Sequence, residues 1–308
     1  MPDASTYPGV YVEELPSGVR TIAGVATSVT AFVGRALRGL IDEPVIINNY
    51  GDFERIFGGL WHQSSLGYAV QDFYWNGGGQ AIIVRLFHST NQPSTATLNA
   101  NGLPLIAAAP GAWGNNLRAR IELVDTPGWA ERYGLQEGEL FNLTVRDTKT
   151  GVTEAFQNVS IKDSPRQVAA VLANSSMLVR AQEMSGDTMP AEHASVPDIW
   201  TDDTASSKVE SHNQADDGDD LDQSDFTGTG KEAAQQGLYA LEKSDLFNLL
   251  CIPPYLAKSN LNEDVDADLV SKTATYCEKR RAMLIVDAPV GWTDAANAKD
   301  NQLGTFVH

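Results

Sequence analysis

Basic residues are scarce in this 308-residue chain: 22 Lys and Arg stand against 40 Asp and Glu, a formal net charge of −18. Nucleic-acid surfaces are built from clustered Lys and Arg, so that class of partner is disfavoured. Cysteine is scarcer still. Cys251 and Cys277 are the two cysteines, too far apart for a zinc-ligand spacing and each inside an apolar pattern; they read as buried free thiols of a reducing compartment. No run approaches the roughly 18 uninterrupted apolar residues of a membrane span. No basic stretch followed by an apolar one marks a secretory signal. What remains, 42% hydrophobic and 20% charged residues, is the composition of a globular chain, long enough for one large domain or two to three smaller ones.

Catalytic signatures are missing as well. The five histidines, His62, His88, His193, His212 and His308, form no HExxH or closely spaced His pair, and there is no G-x-S-x-G serine elbow. "GTGKE" (228–232) imitates a phosphate loop, but Asp225 stands where its first Gly belongs and Glu232 follows Lys231, so it reads as a helix start. "DDGDDLDQSD" (216–225) imitates a calcium loop. With Gly218 at the turn, however, Ala215 and Ser224 fall on ligand positions. "WNGGGQ" (75–80) precedes a strand rather than opening a helix, which excludes a dinucleotide loop. Asp287 sits at the expected end of a parallel strand, a place α/β enzymes use for catalysis, but no partner for it is visible. No catalytic, cofactor-binding or metal-binding residue is assigned.

What is present has two textures. "SVTAFVGRA" (28–36) reads as a short buried strand. "PVIINNYGDFERIFGG" (44–59) gives a second strand and then a short helix with Phe53, Ile56 and Phe57 on one side. "SSLGYAVQDFYWNGGG" (64–79) places Leu66, Ala69, Val70, Phe73 and Tyr74 at helical spacing, capped by Ser64 or Ser65 and stopped by Asn76-Gly77. "QAIIVRLF" (80–87) is a β-branched run. From about residue 93 the pattern turns β-rich: "NLRARIELV" (116–124), "LFNLTVRD" (140–147) and "VTEAFQNVSI" (152–161) alternate, with a hairpin turn at "DTKTG" (147–151), as in a small sandwich. Ser164-Pro165 is expected to open a helix carrying Val168, Val171 and Leu172. Between Glu183 and Asp225 thirteen acidic residues face one basic residue, Lys208, a composition expected to give a solvated, mobile loop. The α/β texture returns with "KEAAQQGLYALEK" as a helix, "DLFNLLCIPP" as a buried strand, "NEDVDADLVSKTATYCEKRR" as a long helix and "AMLIVDAP" as a second buried strand. This is a βαβ crossover. The expected organisation is an arm (1–20), a first α/β part (21–92), an inserted β-sandwich (93–182), the acidic loop (183–230) and a second α/β part (231–308).

The arm poses its own question. In "TYPGVYVEELPSG" (6–18), Tyr7, Val10, Tyr11 and Val12 favour extended structure, while Pro8-Gly9 and Pro16-Ser17-Gly18 separate them from the rest of the chain. Val10 and Val12 face one way and Tyr11 and Glu13 the other, the alternation of a strand, and a lone extended segment at a terminus needs a sheet to pair with, its own domain's or another's.

Read in order, "YPGVYVEE" (7–14), "TSVTAFVGRALRG" (27–39), "PVIINNYGDFERIFGG" (44–59), "AVQDFYWNGGGQAIIVRL" (69–86), "PGAWGNNLRARI" (110–121), "CIPP" (251–254) and "CEKRRAMLIVDAP" (277–289) resemble the contractile tail sheath proteins of phages, R-type pyocins and extracellular contractile injection systems. The resemblance implies a subtilisin-like α/β domain without protease residues, bearing an inserted β-sandwich. It implies a structural, non-enzymatic subunit in stacked homo-oligomeric rings around an inner tube protein, with baseplate and tail terminator proteins as further partners, and neither nucleic-acid binding nor direct membrane insertion. Assembly in the bacterial cytoplasm and residence in a virion tail or tail-like particle are implied too. The arm, Tyr7, Gly9, Val10, Tyr11, Val12, Glu13 and Glu14, would be donated to a neighbouring subunit. The family continues past the segment matching 277–289 into a tube-facing domain, so the chain is expected to be a fragment, the alternative being a second polypeptide that completes it. Two other readings stay open: an α/β hydrolase-like enzyme using Asp287, and a carbohydrate-binding module using Trp113 and Trp129.

Overall fold

The computed structural model describes residues 28–89, 94–124, 128–183, 188–258, 261–289, 292 and 294; the predicted arm, Tyr7 to Glu14, lies outside them. The first strand, β1 (Thr30–Arg35), is buried at all six positions, as a strand covered on both faces must be. After the short β2 (Val45–Ile47), α1 (Tyr50–Phe57) begins where the Asn49 side chain accepts from the Asp52 N–H and ends at Gly58 in the left-handed region. Phe53 and Phe57 are fully buried on its inner face, their rings stacked at 5.3 Å. Helix α2 (Leu66–Trp75) starts with the Ser64 hydroxyl accepting from the Leu66 N–H, and leads to β3 (Ala81–Leu86), again buried throughout.

The inserted unit comprises β4 (Thr97–Ala100), β5 (Leu103–Ala107), β6 (Leu117–Leu123), β7 (Phe141–Asp147), β8 (Thr153–Val159), α3 (Val168–Ser175), β9 (Val179–Ala181) and β10 (Ser207–Lys208). They form antiparallel sheets in the orders β10-β6-β7-β8 and β4-β5-β9, packed on one shared core that includes Leu105, Ile121, Phe141, Leu143 and Leu172. The "DTKTG" turn forms as expected: Asp147, 2% exposed, accepts from Lys149 N and Thr150 Oγ1, and Gly151 N closes on Asp147 O at 2.8 Å. Ser164 and Pro165 do not open α3. They form a turn in front of it, fixed by the Ser160–Gln167 bridge, and the helix begins at Val168.

The second α/β part holds α4 (Gln223–Thr227), α5 (Lys231–Ala234), a 3₁₀ segment (Gly237–Lys243), β11 (Leu249–Cys251), β12 (Leu256–Lys258), β13 (Leu261–Asp264), α6 (Ala267–Arg280) and β14 (Met283–Ile285). Here the sequence reading is corrected three times. The single helix expected over 231–243 breaks at Gln235, because Gly237 packs its Cα against the Phe226 carbonyl and gives its N–H to Asp42. The helix expected from 262 begins at Ala267, capped by Asp266, and the residues before it pair as β12–β13. And β14 is not buried on both faces: Met283 is 67% exposed.

One sheet joins the two ends of the chain in the order β14-β11-β1-β3-β2, parallel except for β2. From β1 the chain moves towards β3 with α1 and α2 on the face of Phe32 and Ile83; from β11 it moves the other way, with α6 on the face of Leu250 and Val33. Right-handed crossovers in opposite directions place helices on opposite faces. The sheet is therefore doubly wound, with its switch point between β1 and β11.

Candidate functional site

In doubly wound sheets ligands bind beyond the carboxyl ends of the strands at the switch point. Here that crevice is lined by Gly34 and Arg35 from β1, Ser64 and Ser65 before α2, and Pro253, Pro254 and Tyr255 after β11, with Asp220 and Leu221 across its mouth. About 10 Å³ is left, room for roughly one water. The acidic stretch fills the rest. Arg35, 8% exposed, donates through Nη1 to Asp220 Oδ1 at 3.0 Å and through Nη2 to the carbonyls of Asp217 and Gly218 at 3.0 and 2.6 Å, and its guanidinium lies 4.6 Å from the centre of the Trp61 ring. Burial lowers the Arg35 pKa, opposed by Asp220 and Asp217. The two serines are turned to backbone: Ser64 Oγ donates to Arg35 O at 2.5 Å and Ser65 Oγ to Pro254 O.

A second cluster lies beside it, where the chain leaves and rejoins the α/β layer. Arg85, 1% exposed at the end of β3, has no salt bridge among the described residues. Its charge is solvated by carbonyls instead, those of Ala36 (2.8 Å), Gly39 (2.7 Å), Leu37 (3.4 Å) and Pro110 (2.9 Å), and burial brings its pKa down to about 9. Asp217 accepts from Ala112 N at 2.8 Å, and Asn115 exchanges two 2.8 Å bonds with the Ala215 backbone. Gly111 has φ 126°, and a Cβ there would stand 2.8 Å from Leu37 O, so "PGAWGNN" is shaped to lie against the first loop. His88 meets Asp225 at 2.8 Å and accepts from Asp219 N through its carbonyl at 3.1 Å.

The acidic stretch thus differs from the mobile, solvated loop read from its composition. Ala205, Val209 and Ala215 enter or border the sandwich core, Leu221 and Phe226 the α/β core, and Ser207–Lys208 forms β10 against β6. Single apolar residues spaced through an acidic run each drop into a core, while their charged neighbours meet Arg35, Arg118 and His88.

The residues offered for other chemistry are dispersed. Asp287 is exposed, two positions beyond β14 and one strand away from the switch point. Its charge, after burial, helps push the Cys251 thiol up to about 12, a thiol too weak an acid to act as a nucleophile. Trp113 is 5% exposed, its Nε1 donating to Ala109 O at 3.1 Å, so it cannot stack on a sugar; Trp129, 37% exposed, is faced by Arg132 at 4.8 Å. The ligand atoms of His88, Asp222 and Asp225 lie within 4.8 Å of one another. They are already engaged: Asp225 takes His88 Nδ1 and Asp222 N, and Asp222 takes Ser224 N, as the capping box of α4. Among the described residues, apolar side chains left open concentrate on the uncovered face of β14 (Met283, 67%, and Ile285, 42%) and at Trp75 (74%) and Ile46 (57%). None of Arg35, Arg85, Asp217 or His88 was singled out from the sequence. The usable signal was an arginine closing each of two buried strands, "AFVGR" and "IIVRL", opposite a distant acidic run.

No family description and no curated protein sequence matches the chain. Among solved structures it is similar to a sheath tail protein from Listeria innocua, with 14% identity, a TM-score of 0.49 and coverage of 84% of this chain and 46% of that one. It is also similar to a sheath tail protein from Desulfitobacterium hafniense, with 15% identity, a TM-score of 0.46 and coverage of 90% and 52%. Both scores describe a partial likeness, and the chain spans about half the length of either neighbour. No helix among the described residues is long and apolar enough to cross a membrane.

Proposed function

We propose that this chain is a structural subunit of a contractile tail sheath. In this reading it polymerises helically around an inner tube and contracts to drive that tube through a target cell envelope, with a subtilisin-like α/β domain, an outward sandwich and no enzymatic step. The observation that carries the reading is the ordered run of sheath-like segments from "YPGVYVEE" to "CEKRRAMLIVDAP". A switch-point crevice filled by the protein's own Asp220 and Leu221 supports it against the hydrolase-like alternative, whose substrate would need that space. The partners are further copies in stacked rings, the inner tube, and the baseplate and terminator proteins of a phage tail or tail-like particle. Tyr7, Gly9, Val10, Tyr11, Val12, Glu13 and Glu14 would supply a strand to a neighbouring copy. Each backbone hydrogen bond so made nets about 1 kcal/mol, and repetition along a polymer turns a modest tie into a strong one. Electron microscopy of the full gene product with its tube protein, beside a version lacking residues 1–18, is the test. Striated hollow tubes lost on removing the arm are expected. An intact protein that stays monomeric with its tube present overturns the reading.

A further inference from the structure

We propose that His88 and Asp225 form a pH-dependent latch that fastens the acidic segment 216–225 across the strand ends, closed under mildly acidic conditions and loosened as the pH rises. Two of the segment's anchors join it to a cationic side chain. At one, Arg35 grips Asp220 and the carbonyls of residues 217 and 218, and an arginine keeps its charge throughout the ordinary pH range. At the other, His88 Nδ1 meets Asp225 Oδ2 at 2.8 Å while Asp219 N reaches back to His88 O at 3.1 Å. The charges acting on the imidazole are Asp225, Asp222 and Asp219, all contributed by the facing segment. An imidazolium satisfies them; a neutral imidazole leaves a segment with six carboxylates (Asp216, Asp217, Asp219, Asp220, Asp222 and Asp225) without the imidazolium charge, tied to His88 by its imidazole and carbonyl hydrogen bonds alone. The Asp225 hydrogen bond, partly offset by burial, raises the His88 pKa when the segment is docked. The latch therefore contributes fully below the free histidine value of about 6.5 and is lost as the pH climbs through the raised one. Release is local to this end, because Arg35 does not titrate with it.

Hydrogen exchange of the full chain between roughly pH 6 and 8.5, spanning the histidine range, tests this, with rates corrected for intrinsic exchange. Protection of peptides within 216–226 should fall about threefold to tenfold, the scale of a partly solvated charged hydrogen bond. Peptides of α6 should hold theirs, and His88→Gln should flatten the profile. Constant protection in the native protein, or the same fall in His88→Gln, overturns the latch. Nuclear magnetic resonance of His88 in the unmodified protein gives a reading that needs no variant. A midpoint above that of a free histidine is expected, and one at or below it overturns the proposal.

Discussion

Replacing Arg35 by Ala separates two explanations of how the acidic segment is held. If the ion pair dominates, Asp220→Ala should cost about as much as Arg35→Ala. The geometry says otherwise. The Asp220 side chain is 63% exposed, and a pair so open to water is worth about 0–1 kcal/mol. The carbonyls of Asp217 and Gly218, at 3.0 and 2.6 Å from Nη2, are charge-assisted bonds beside a closed crevice, about 1.5 kcal/mol each at the low end. The Trp61 contact adds about 0.5 kcal/mol. Relief from burying the guanidinium works against these, and is itself offset by the carbonyls of Asp217 and Gly218 that lose their donor. Arg35→Ala should therefore cost about 3 kcal/mol and Asp220→Ala under about 1 kcal/mol. Urea unfolding with a shared slope measures both. An Arg35→Ala loss below about 1 kcal/mol, or equal losses for the two variants, would mean the carbonyl grip is not what docks the segment.

Three other outcomes are expected from the same geometry. Gly111→Ala should lower stability by about 2 kcal/mol, combining a left-handed backbone with a Cβ 2.8 Å from Leu37 O; a melting temperature within error of the parent contradicts the packing of "PGAWGNN". Trp113→Ala should cost about 3–5 kcal/mol by emptying a buried site of the sandwich, and glycan-array signals of the parent protein, should there be any, must then come from elsewhere. The thiols of Cys251 and Cys277, pushed up to about 12 and about 11 by burial, should carry roughly one thiolate in a thousand or fewer at pH 8. An aromatic disulfide reagent should then label them only in denaturant, and fast labelling of the folded chain would show the packing around Cys251 and Cys277 to be open.

How far the sequence reached depends on how local each cause was. The buried runs of β1 and β3, the Ser64 start of α2 and the Asp147 turn announce themselves within a few residues, because strand burial, capping and turn closure are local physics. The break at Gln235 was invisible, since its cause is the Phe226 carbonyl lying against Gly237, a contact that no helical periodicity encodes. The exposed face of β14 was misread because an apolar run states what a strand wants covered, not whether a neighbouring element covers it. Most was lost in the acidic stretch. Composition averages over the run, whereas its placement is decided by single residues meeting partners more than 80 positions away: Arg35 with Asp220, His88 with Asp225, Asn115 with Ala215, Arg118 with Asp203.

That same stretch bears on the structural role proposed for this doubly wound sheet. An enzyme on this scaffold keeps its switch point open and spends loop residues on orienting substrate. This chain uses the position to join two layers: Arg35 and Arg85 close the ends of neighbouring strands β1 and β3, and their seven hydrogen-bonded partners come from the first loop, from the "PGAWGNN" approach and from residues 217–220. Four of these contacts, to Pro110 and to residues 217, 218 and 220, cross between the α/β layer and segments that enter or leave the sandwich, while those to residues 36, 37 and 39 stay within the layer, so a torque on the sandwich is opposed at several points around one junction. In the proposed sheath, a subunit that slides against its neighbours needs that stiffness within itself, because compliance at the junction would dissipate the displacement inside each copy rather than pass it along the polymer. Cross-linking the junction, by a cysteine pair spanning Ala112 and Asp217, where the Ala112 N–H already meets the Asp217 carboxylate at 2.8 Å, should leave tube assembly and contraction unaffected. Assembled particles that form but no longer contract would show that the junction moves, and that the stiffness inferred from Arg35 and Arg85 is not the working state.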